Sequence, residues 1–283
     1  MLIVVCSVTG SPGVTTWSVA LAARWPQPAR TVVVECDPSG GSVAARFGLA
    51  AAPGLVSLTA AARRDTTAGL LWSHIQPLPG GLPVVVAPAG ADYTRAALHT
   101  LLDSRRQSVS VLRGAAMAAD AVVIVDCGRL DSTSPAVAIA READRVLLLV
   151  RPRVDELTQL AAGLSMVDLW AMRPSLLLVG PGYSAGEVTR ELGVPVVASI
   201  PRDDKGARAL CGHAGPRRGP ARSRLGQAAH QVATTLSTPP ADRPQARETA
   251  VEHLAAYRTS GWDQPIVPLA DDRARNGARL EDR

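Results

Sequence analysis

The chain has 283 residues, of which 47% are hydrophobic, 19% are charged and 3% are aromatic, and its formal net charge is +5. A hydrophobic share of this size predicts a folded protein with a sizeable core and excludes a chain that is disordered throughout. The scarcity of aromatic side chains disfavours recognition of single-stranded nucleic acid by base stacking.

The amino terminus, MLIVVCSVTG, lacks the basic segment and the long apolar run of a secretion signal, so we expect it to form the first strand. No stretch approaches the ~18 apolar residues of a membrane-spanning helix, which predicts a soluble, cytoplasmic protein. The histidines stand singly, without HExxH or GxSxG motifs, and the four cysteines form no CxxC pair. Zinc enzymes and serine hydrolases are therefore disfavoured.

Seven short apolar runs alternate along most of the chain with segments of helical spacing, such as TTWSVALAARW and SPAVAIAREA. Because these runs do not alternate polar and apolar residues, each predicts a strand that is covered on both faces. The pattern predicts a three-layer α/β fold, in which a mainly parallel, twisted sheet of about seven strands has helices on both faces. The predicted strands are 2–8, 31–36, 82–88, 121–127, 145–150, 175–180 and 194–200.

After about residue 210 this pattern gives way to CGHAGPRRGPARSR and then to a predicted helix, LGQAAHQVATTL. We expect the sheet domain to span residues 1–237. Residues 238–283 are predicted to form a proline-rich linker, a short helix (ARETAVEHLAAYR) and a polar tail. The narrow apolar stripe and mixed charges of that helix favour an accessory helix over one that lies on a membrane surface.

The first predicted turn, SVTGSPGVTTWS, has the form of a phosphate-binding loop. Ligands of parallel sheets bind beyond the carboxyl ends of the strands, where backbone N–H groups at a helix N-terminus can hold phosphate. Gly10 and Gly13 permit the turn, and the Thr15 hydroxyl can reach a Mg²⁺ ion. The strict GxxxxGK[ST] pattern fails, because Val8 stands at the first glycine and Val14 at the lysine.

Two later strand ends carry acidic residues. VVVECDPSGG ends the second strand with Glu35 and Asp37, and VVIVDCGRLDS places Asp126 after four apolar residues, the form of a Walker B carboxylate. A strand-end aspartate that only caps the following turn is the alternative for each. The three turns in this order indicate a site for a nucleotide with Mg²⁺.

Together these segments resemble the MinD/ParA family of deviant Walker P-loop ATPases, over roughly residues 1–237. TGSPGVTT stands at the family's KGGxGKTT signature, ECDPSGGSVAARFGL resembles its DxDPQG switch segment, and GGLPVVVAPAG resembles its following strand and PxG turn. VVIVDCG is similar to the Walker B strand, and ELGVPVVASIPRDD to a late segment whose loop borders the adenine. The degenerate phosphate loop is most similar to that of the CpaE/TadZ-like branch, found with Tad/Flp-type pilus or secretion systems.

The resemblance implies ATP and Mg²⁺ as cofactors and a role for each matching residue. Asp37 and Asp126 are the implied catalytic residues and, with Thr15, the implied Mg²⁺ ligands. Pro201 and Asp203 are expected beside the base. The implied phosphate loop comprises Gly10, Ser11, Pro12, Gly13, Val14, Thr15 and Thr16.

The departures from the family pattern concern its polar contacts with the nucleotide. Thr9 replaces the signature lysine that reaches across the dimer, Val14 replaces the ordinary Walker lysine, and Gly180 replaces an adenine-reading asparagine. The only lysine, Lys205, follows the last predicted strand, where the resemblance puts the base. An arginine can replace the missing lysines as a ligand of the phosphate oxygens. Arg151 is favoured over Arg129 and Arg153 because it stands directly at the carboxyl edge of its strand.

Two functions from different classes follow. The first is an ATP-binding positioning or assembly factor that forms a homodimer and acts on protein partners of a pilus, secretion or partition system. Its location would be cytoplasmic, with peripheral contact at the inner face of the membrane or a cell pole. Loss of both lysines predicts weak or no hydrolysis, because a phosphate lysine acts more in the transition state than in the ground state.

The second function is an active partition-type ATPase in chromosome or plasmid segregation, which binds DNA nonspecifically. It needs a substitute cation in the site and a basic surface stripe. A candidate for such a stripe is the arginine-rich segment with Arg217, Arg218, Arg222 and Arg224. A third and weaker hypothesis is a metabolic enzyme of the same fold, a ligase or synthetase of the dethiobiotin type. It is weaker because the sequence has no signature of a second substrate pocket.

Overall fold

The computed structural model describes residues 1–238, except for 11, 66, 103–108, 171–173, 212 and 214–218. Within these residues the strands are β1 Leu2–Ser7, β2 Arg30–Glu35, β3 Gln76–Pro77, β4 Pro83–Val85, β5 Ala121–Arg129, β6 Arg145–Val150, β7 Pro174–Val179 and β8 Val196–Ile200. The helices are α1 Val14–Ala23, α2 Val43–Phe47, α3 Leu55–Ala62, α4 Ala91–Leu101, α5 Val109–Met117, α6 Val137–Glu142, α7 Val154–Trp170, α8 Ala185–Leu192, α9 Asp204–Ala209 and α10 Arg224–Ser237.

The strands form one sheet in the order β3-β4-β2-β5-β1-β6-β7-β8. All neighbouring strands in it are parallel except β3 and β4. The predicted α/β class with a mainly parallel sheet is therefore confirmed. One strand of the sheet, β3, was not predicted, because its two residues Gln76–Pro77 are too few and too polar to form an apolar run.

The sheet separates two hydrophobic cores, one on each face. Along β1, Leu2, Val4 and Cys6 belong to the core that packs against α3 to α8, whereas Ile3 and Val5 belong to the core that packs against α1, α2 and α10. Because side chains of a strand point alternately to its two faces, a strand buried on both faces must be apolar at every position. This accounts for the unalternated run LIVVCS.

The central strands bring the three predicted chemical turns together. β5 lies between β1 and β2, and in the strand register Asp126 is level with Val5 on one side and with Glu35 on the other. The carboxyl ends of β1, β2 and β5 therefore reach the same edge of the sheet side by side. The turns that follow them must share that edge.

The last described helix, α10, ends at Ser237. Apart from Thr238, the predicted linker, helix and tail at 238–283 lie outside the described residues, so the domain boundary at 237 stays a prediction. In the part of the chain that the structure describes, no helix has both the length and the apolar character needed to cross a membrane.

Candidate functional site

The loop between β1 and α1 has the backbone geometry of an anion site. Gly13 precedes the first helical residue with φ +97°, a left-handed conformation that favours glycine. At the end of β1, the Ser7 hydroxyl is placed to donate a hydrogen bond to the carbonyl oxygens of Thr9, at 3.1 Å, and Gly10, at 3.2 Å. Pro12 is buried, and Ser11 lies outside the described residues. The loop is thus held from the strand side.

The N-terminus of α1 is left open towards the space above this loop. Among the described residues no side chain caps it, and its first turn contains no acidic residue. A Cβ added at Gly10 or Gly13 would meet no heavy atom within 4 Å among the described residues. N–H groups that have no partner among the described residues, together with the positive end of the helix dipole, therefore lie at open space, an arrangement suited to phosphate.

The two positions at which the resemblance expects lysine do not present side chains to this space. Val14 is 6% exposed and packs in the core with α2 and α10. Thr9 is fully buried, and its hydroxyl donates to Oε2 of Glu156 at 3.2 Å. Thr9 thus points into its own chain, which differs from the role that the resemblance gives to the lysine at this position.

Arg151, the favoured substitute for the lysines, is engaged by Glu156 at the start of α7. Its guanidinium Nη1 lies 2.9 Å from Oε1 of Glu156, and its backbone N–H donates to Oε2 at 3.0 Å. Glu156 is 7% exposed, so its charge requires a cationic partner. Loss of that partner would leave a buried charge uncompensated. In this structure Arg151 therefore forms an ion pair with Glu156, and its contact with phosphate stays a prediction.

Asp126 is the most strongly perturbed carboxyl group of the site. It is 1% exposed, and burial raises its pKa to about 7, with smaller contributions from the charges of Glu35 and Asp37. The Gly128 N–H donates to Oδ1 at 3.1 Å. The Thr15 hydroxyl is near enough to Asp126 to favour the charged form of that carboxyl group. Oδ2 of Asp126 nevertheless has no hydrogen-bond partner among the described residues. A buried carboxylate oxygen without a partner is the coordination position that a bound cation would complete.

Asp37 follows β2 and lies against the end of β5. Its Oδ1 accepts the Ser39 N–H at 2.8 Å, and burial is the main influence that raises its pKa. Any Cβ at Gly128, where φ is +56°, would overlap the Asp37 carboxyl group. Gly128 is therefore needed both for its left-handed backbone and for the place that Asp37 takes beside Asp126.

The residues present fit a Mg²⁺ ion that arrives with a nucleotide. No group of three or more His, Cys, Asp or Glu residues within the described ranges is placed to hold a metal ion by itself. Mg²⁺ commonly retains water and takes only one or two carboxylates together with substrate phosphates. Asp126, whose Oδ2 has no described partner, and the nearby Thr15 hydroxyl suit such a small set of protein ligands. Asp37 is the remaining candidate for a second carboxylate ligand.

Glu35 has a structural role that the sequence did not reveal. It is 1% exposed, and its Oε1 accepts the N–H groups of Ser42 and Val43 at 2.8 and 2.9 Å, while Oε2 accepts that of Ala87 at 3.0 Å. Burial raises the pKa of Glu35, and these three N–H groups act in the opposite direction. The carboxylate thereby ties the start of α2 to the turn after β4. An acidic residue directly after three consecutive valines was the available signal.

We expect Glu35→Gln to lower the free energy of unfolding by about 2 kcal/mol, because the new amide would place a donor against the Ala87 N–H. Chemical denaturation at pH 7 measures the change. The same substitution at Glu191, which is exposed on α8, is the matched control and should cost less than about 0.5 kcal/mol. Equal stability of the two variants would contradict this role of Glu35.

The chain shortly after the segment predicted to border the base approaches the second threonine of the loop. Cys211, just after α9, places its Sγ 3.6 Å from Oγ1 of Thr16. Pro201 follows β8 at the same edge of the sheet. Asp203, however, is committed to the backbone, since it accepts the Gly206 N–H at 2.9 Å and the Leu225 N–H at 3.0 Å. Asp203 thus fastens the starts of α9 and α10, and a contact with a base stays a prediction.

The other three cysteines lie in the core beside the site. Cys6, Cys36 and Cys127 are each 0% exposed, and burial is the main cause that raises the pKa of each thiol. A buried thiol held in its protonated form is a poor nucleophile. These residues act as small apolar fillers between neighbouring strands.

The mainly parallel sheet, with a glycine loop after β1 and carboxylates after β2 and β5 at one edge, is an α/β fold that is also found among known proteins. Solved structures of ParA and MinD proteins share it. A ParA family ATPase from Chlorobium tepidum matches at 16% identity and a TM-score of 0.67, over 83% of this chain and 98% of that chain. MinD from Pyrococcus horikoshii, complexed with Mg-ADP, matches at 17% identity and 0.62, over 84% and 96%.

A third similar structure, the MinC:MinD cell division complex of Aquifex aeolicus, matches at 14% identity with a TM-score of 0.62, over 86% of this chain and 98% of that chain. No protein-family model matches the sequence, and no curated protein matches it either. At this level of identity the likeness establishes the fold shared with MinD and ParA ATPases.

Proposed function

We propose that this chain is a MinD/ParA-like nucleotide-binding protein that takes up ATP with Mg²⁺ and hydrolyses it slowly or not at all. It acts as a homodimeric positioning or assembly factor on protein partners, in the manner of the CpaE/TadZ-like branch of pilus and secretion systems. Those partners would hold it at a cell pole or at the inner face of the membrane.

One observation carries the nucleotide part of this proposal. Within the described part of the chain, the N-terminus of α1 has no side-chain cap and lies at open space above Gly10 and Gly13, beside Oδ2 of Asp126, which has no described hydrogen-bond partner. Such a pairing of an anion site with a cation position suits a phosphate chain that carries Mg²⁺. The solved structures of similar fold include MinD with Mg-ADP and a Cyanothece McdA variant with ATP.

The same geometry supports weak hydrolysis. Bound Mg²⁺ would neutralise phosphate charge, whereas the loop itself supplies only backbone N–H groups and hydroxyls. Val14 and Thr9 are both turned inward, and the described contacts of Arg151 go to Glu156. Because charge grows on the phosphates in the transition state, missing cations cost more in rate than in binding.

Calorimetric titration tests the proposal directly. We expect ATP with Mg²⁺ to bind with a Kd of about 10 µM to 1 mM, since backbone contacts remain and both lysine contacts are lost. Chelation of Mg²⁺ should weaken ATP binding at least about threefold, and adenosine, which has no phosphates, serves as the control ligand. Absence of binding at millimolar ATP would overturn the proposal.

The alternative, an active partition-type ATPase, predicts a different set of results. It requires rapid native turnover that Arg151→Ala abolishes, together with salt-sensitive binding of DNA of any sequence. In the candidate basic stripe, Arg217 and Arg218 lie outside the described residues, and the Arg151 contacts described above favour the first function. Rapid native hydrolysis would reverse that preference.

A further inference from the structure

A second arginine, Arg46, stands on the opposite side of the phosphate loop from Arg151. It lies in α2, and its Nη1 is 3.6 Å from Sγ of Cys211, which in turn is 3.6 Å from Oγ1 of Thr16. Cys211 therefore joins the Arg46 side chain to the first turn of α1. Sequence spacing did not single out Arg46, because it is 30 residues from Thr16 and does not follow a strand.

Arg46 forms no ion pair among the described residues. Burial raises the pKa of Glu35 and the charge of Arg46 acts to lower it, but the described hydrogen bonds of that carboxylate come from the backbone N–H groups of Ser42, Val43 and Ala87. The ion pairs of the described residues join Arg113 to Asp144, Arg151 to Glu156 and Arg202 to Asp204, and none involves Arg46. Its described hydrogen bond goes to a thiol, which is a weak acceptor, although a guanidinium has five N–H donors. A partly buried cation in this condition is suited to an anionic ligand.

The backbone around Arg46 is held in place by the core. Glu35 accepts the N–H groups of Ser42 and Val43 at the start of α2, and Val43 is 0% exposed. Arg46 is one turn further along this short helix. A guanidinium carried by an anchored helix loses less freedom on binding than one carried by an unanchored loop.

A ligand at this place is indicated independently by the other side of the loop. The Val14, Thr15 and Thr16 N–H groups open α1 without a side-chain cap, and Oδ2 of Asp126 is buried without a described partner near Thr15. The helix N-terminus, the cation position at Asp126 and the Arg46 guanidinium thus surround the same first turn of α1.

We propose that Arg46 supplies the side-chain cation for the phosphates of a bound nucleoside di- or triphosphate, on the Thr16 side of the loop, in place of the lysines missing at positions 9 and 14. This inference rests on the proposed function, since it names a residue of the same site. A guanidinium binds phosphate oxygens in pairs, so arginine would serve here better than lysine.

Titration of ATP with Mg²⁺ into the wild type, Arg46→Gln and Arg46→Lys tests the proposal. A hydrogen bond between charged groups predicts that Arg46→Gln weakens binding about 10- to 100-fold and that Arg46→Lys weakens it less. Arg190→Gln removes an exposed guanidinium from α8 and should change the Kd less than twofold. Equal affinities of the wild type and Arg46→Gln would overturn the role of Arg46 and leave nucleotide binding intact. Absence of binding by the wild type would overturn both.

A second measurement uses the wild-type protein alone and does not depend on the folding of a variant. All four cysteines lie in the described residues, and only Cys211 among them is not buried. Iodoacetamide should therefore alkylate Cys211 in the native protein, as peptide mass spectrometry can show. Saturating ATP with Mg²⁺ should slow that reaction at least about fivefold, because phosphates on Arg46 and Thr16 would cover the thiol. An unchanged rate with ATP bound would contradict the proposed place of the ligand.

Discussion

Replacing Val14 with lysine is expected to raise the rate of ATP hydrolysis at least about 100-fold. A positioned donor on charge that develops in the transition state contributes about 3 to 4 kcal/mol, and each 1.4 kcal/mol corresponds to a factor of ten. Val14 is the first residue of α1, at the open end of the helix, so a lysine stem can leave the core and place its ammonium group above the loop. Steady-state phosphate release measures the change.

Val14→Met is the matched control for this substitution. Methionine has an unbranched stem without a charge, so it tests the packing change alone and should leave hydrolysis near the native rate. ATP affinity should improve by a smaller factor than the rate in Val14→Lys, because the charge acts mainly in the transition state. A native rate that already equals that of Val14→Lys would show that the site has another cation for catalysis.

Asp126→Asn is expected to stabilise the protein without nucleotide or Mg²⁺ at alkaline pH. Burial raises the pKa of Asp126 from an ordinary 3.8 to about 7, so the unfolded chain releases this proton at lower pH than the folded chain does. The contribution of Asp126 to stability therefore falls as pH rises from about 4 to about 7 and is constant above that. At ~1.4 kcal/mol per pKa unit, the variant should gain about 4 kcal/mol relative to the wild type across this range.

Chemical denaturation in the presence of a chelator, at pH values from 4 to 8, measures this difference. Distant groups that titrate over the same range cancel in the difference between variant and wild type, whereas the charges of Glu35 and Asp37, which act on Asp126, are part of the measured effect. Asp155→Asn, at an exposed position on α7, is the control and should follow the wild type at every pH. If Asp126→Asn also follows the wild type throughout, the Asp126 carboxyl group is not held in its protonated form.

Most of the fold could be predicted from local patterns. Unalternated apolar runs separated by helical segments predicted seven of the described strands, and the glycines before two threonines predicted the turn at Gly13. These features depend on neighbouring residues, since burial on both faces and a left-handed turn leave a mark in a few consecutive positions. The two-residue β3 left no such mark.

The partners of the charged side chains could not be predicted in the same way. Arg151 was expected on phosphate from its place at a strand end, but Glu156 and the buried Thr9 hydroxyl share that corner of the site. Thr9 and Glu156 are 147 residues apart in the chain, and Arg46 and Cys211 are 165 apart. Nothing in the local sequence states that such residues meet.

The sequence by itself therefore determined the layers of this protein, the position of the glycine-containing loop after β1 and the order of its acidic turns. Only the tertiary structure decided which cations and carboxylates lie against the loop. The physical reason is that strands and turns follow from short-range patterns of burial and backbone freedom, whereas the pairing of charges depends on which helices pack across the edge of the sheet. That packing turned Thr9 and Val14 inward and brought Arg46 to the first turn of α1.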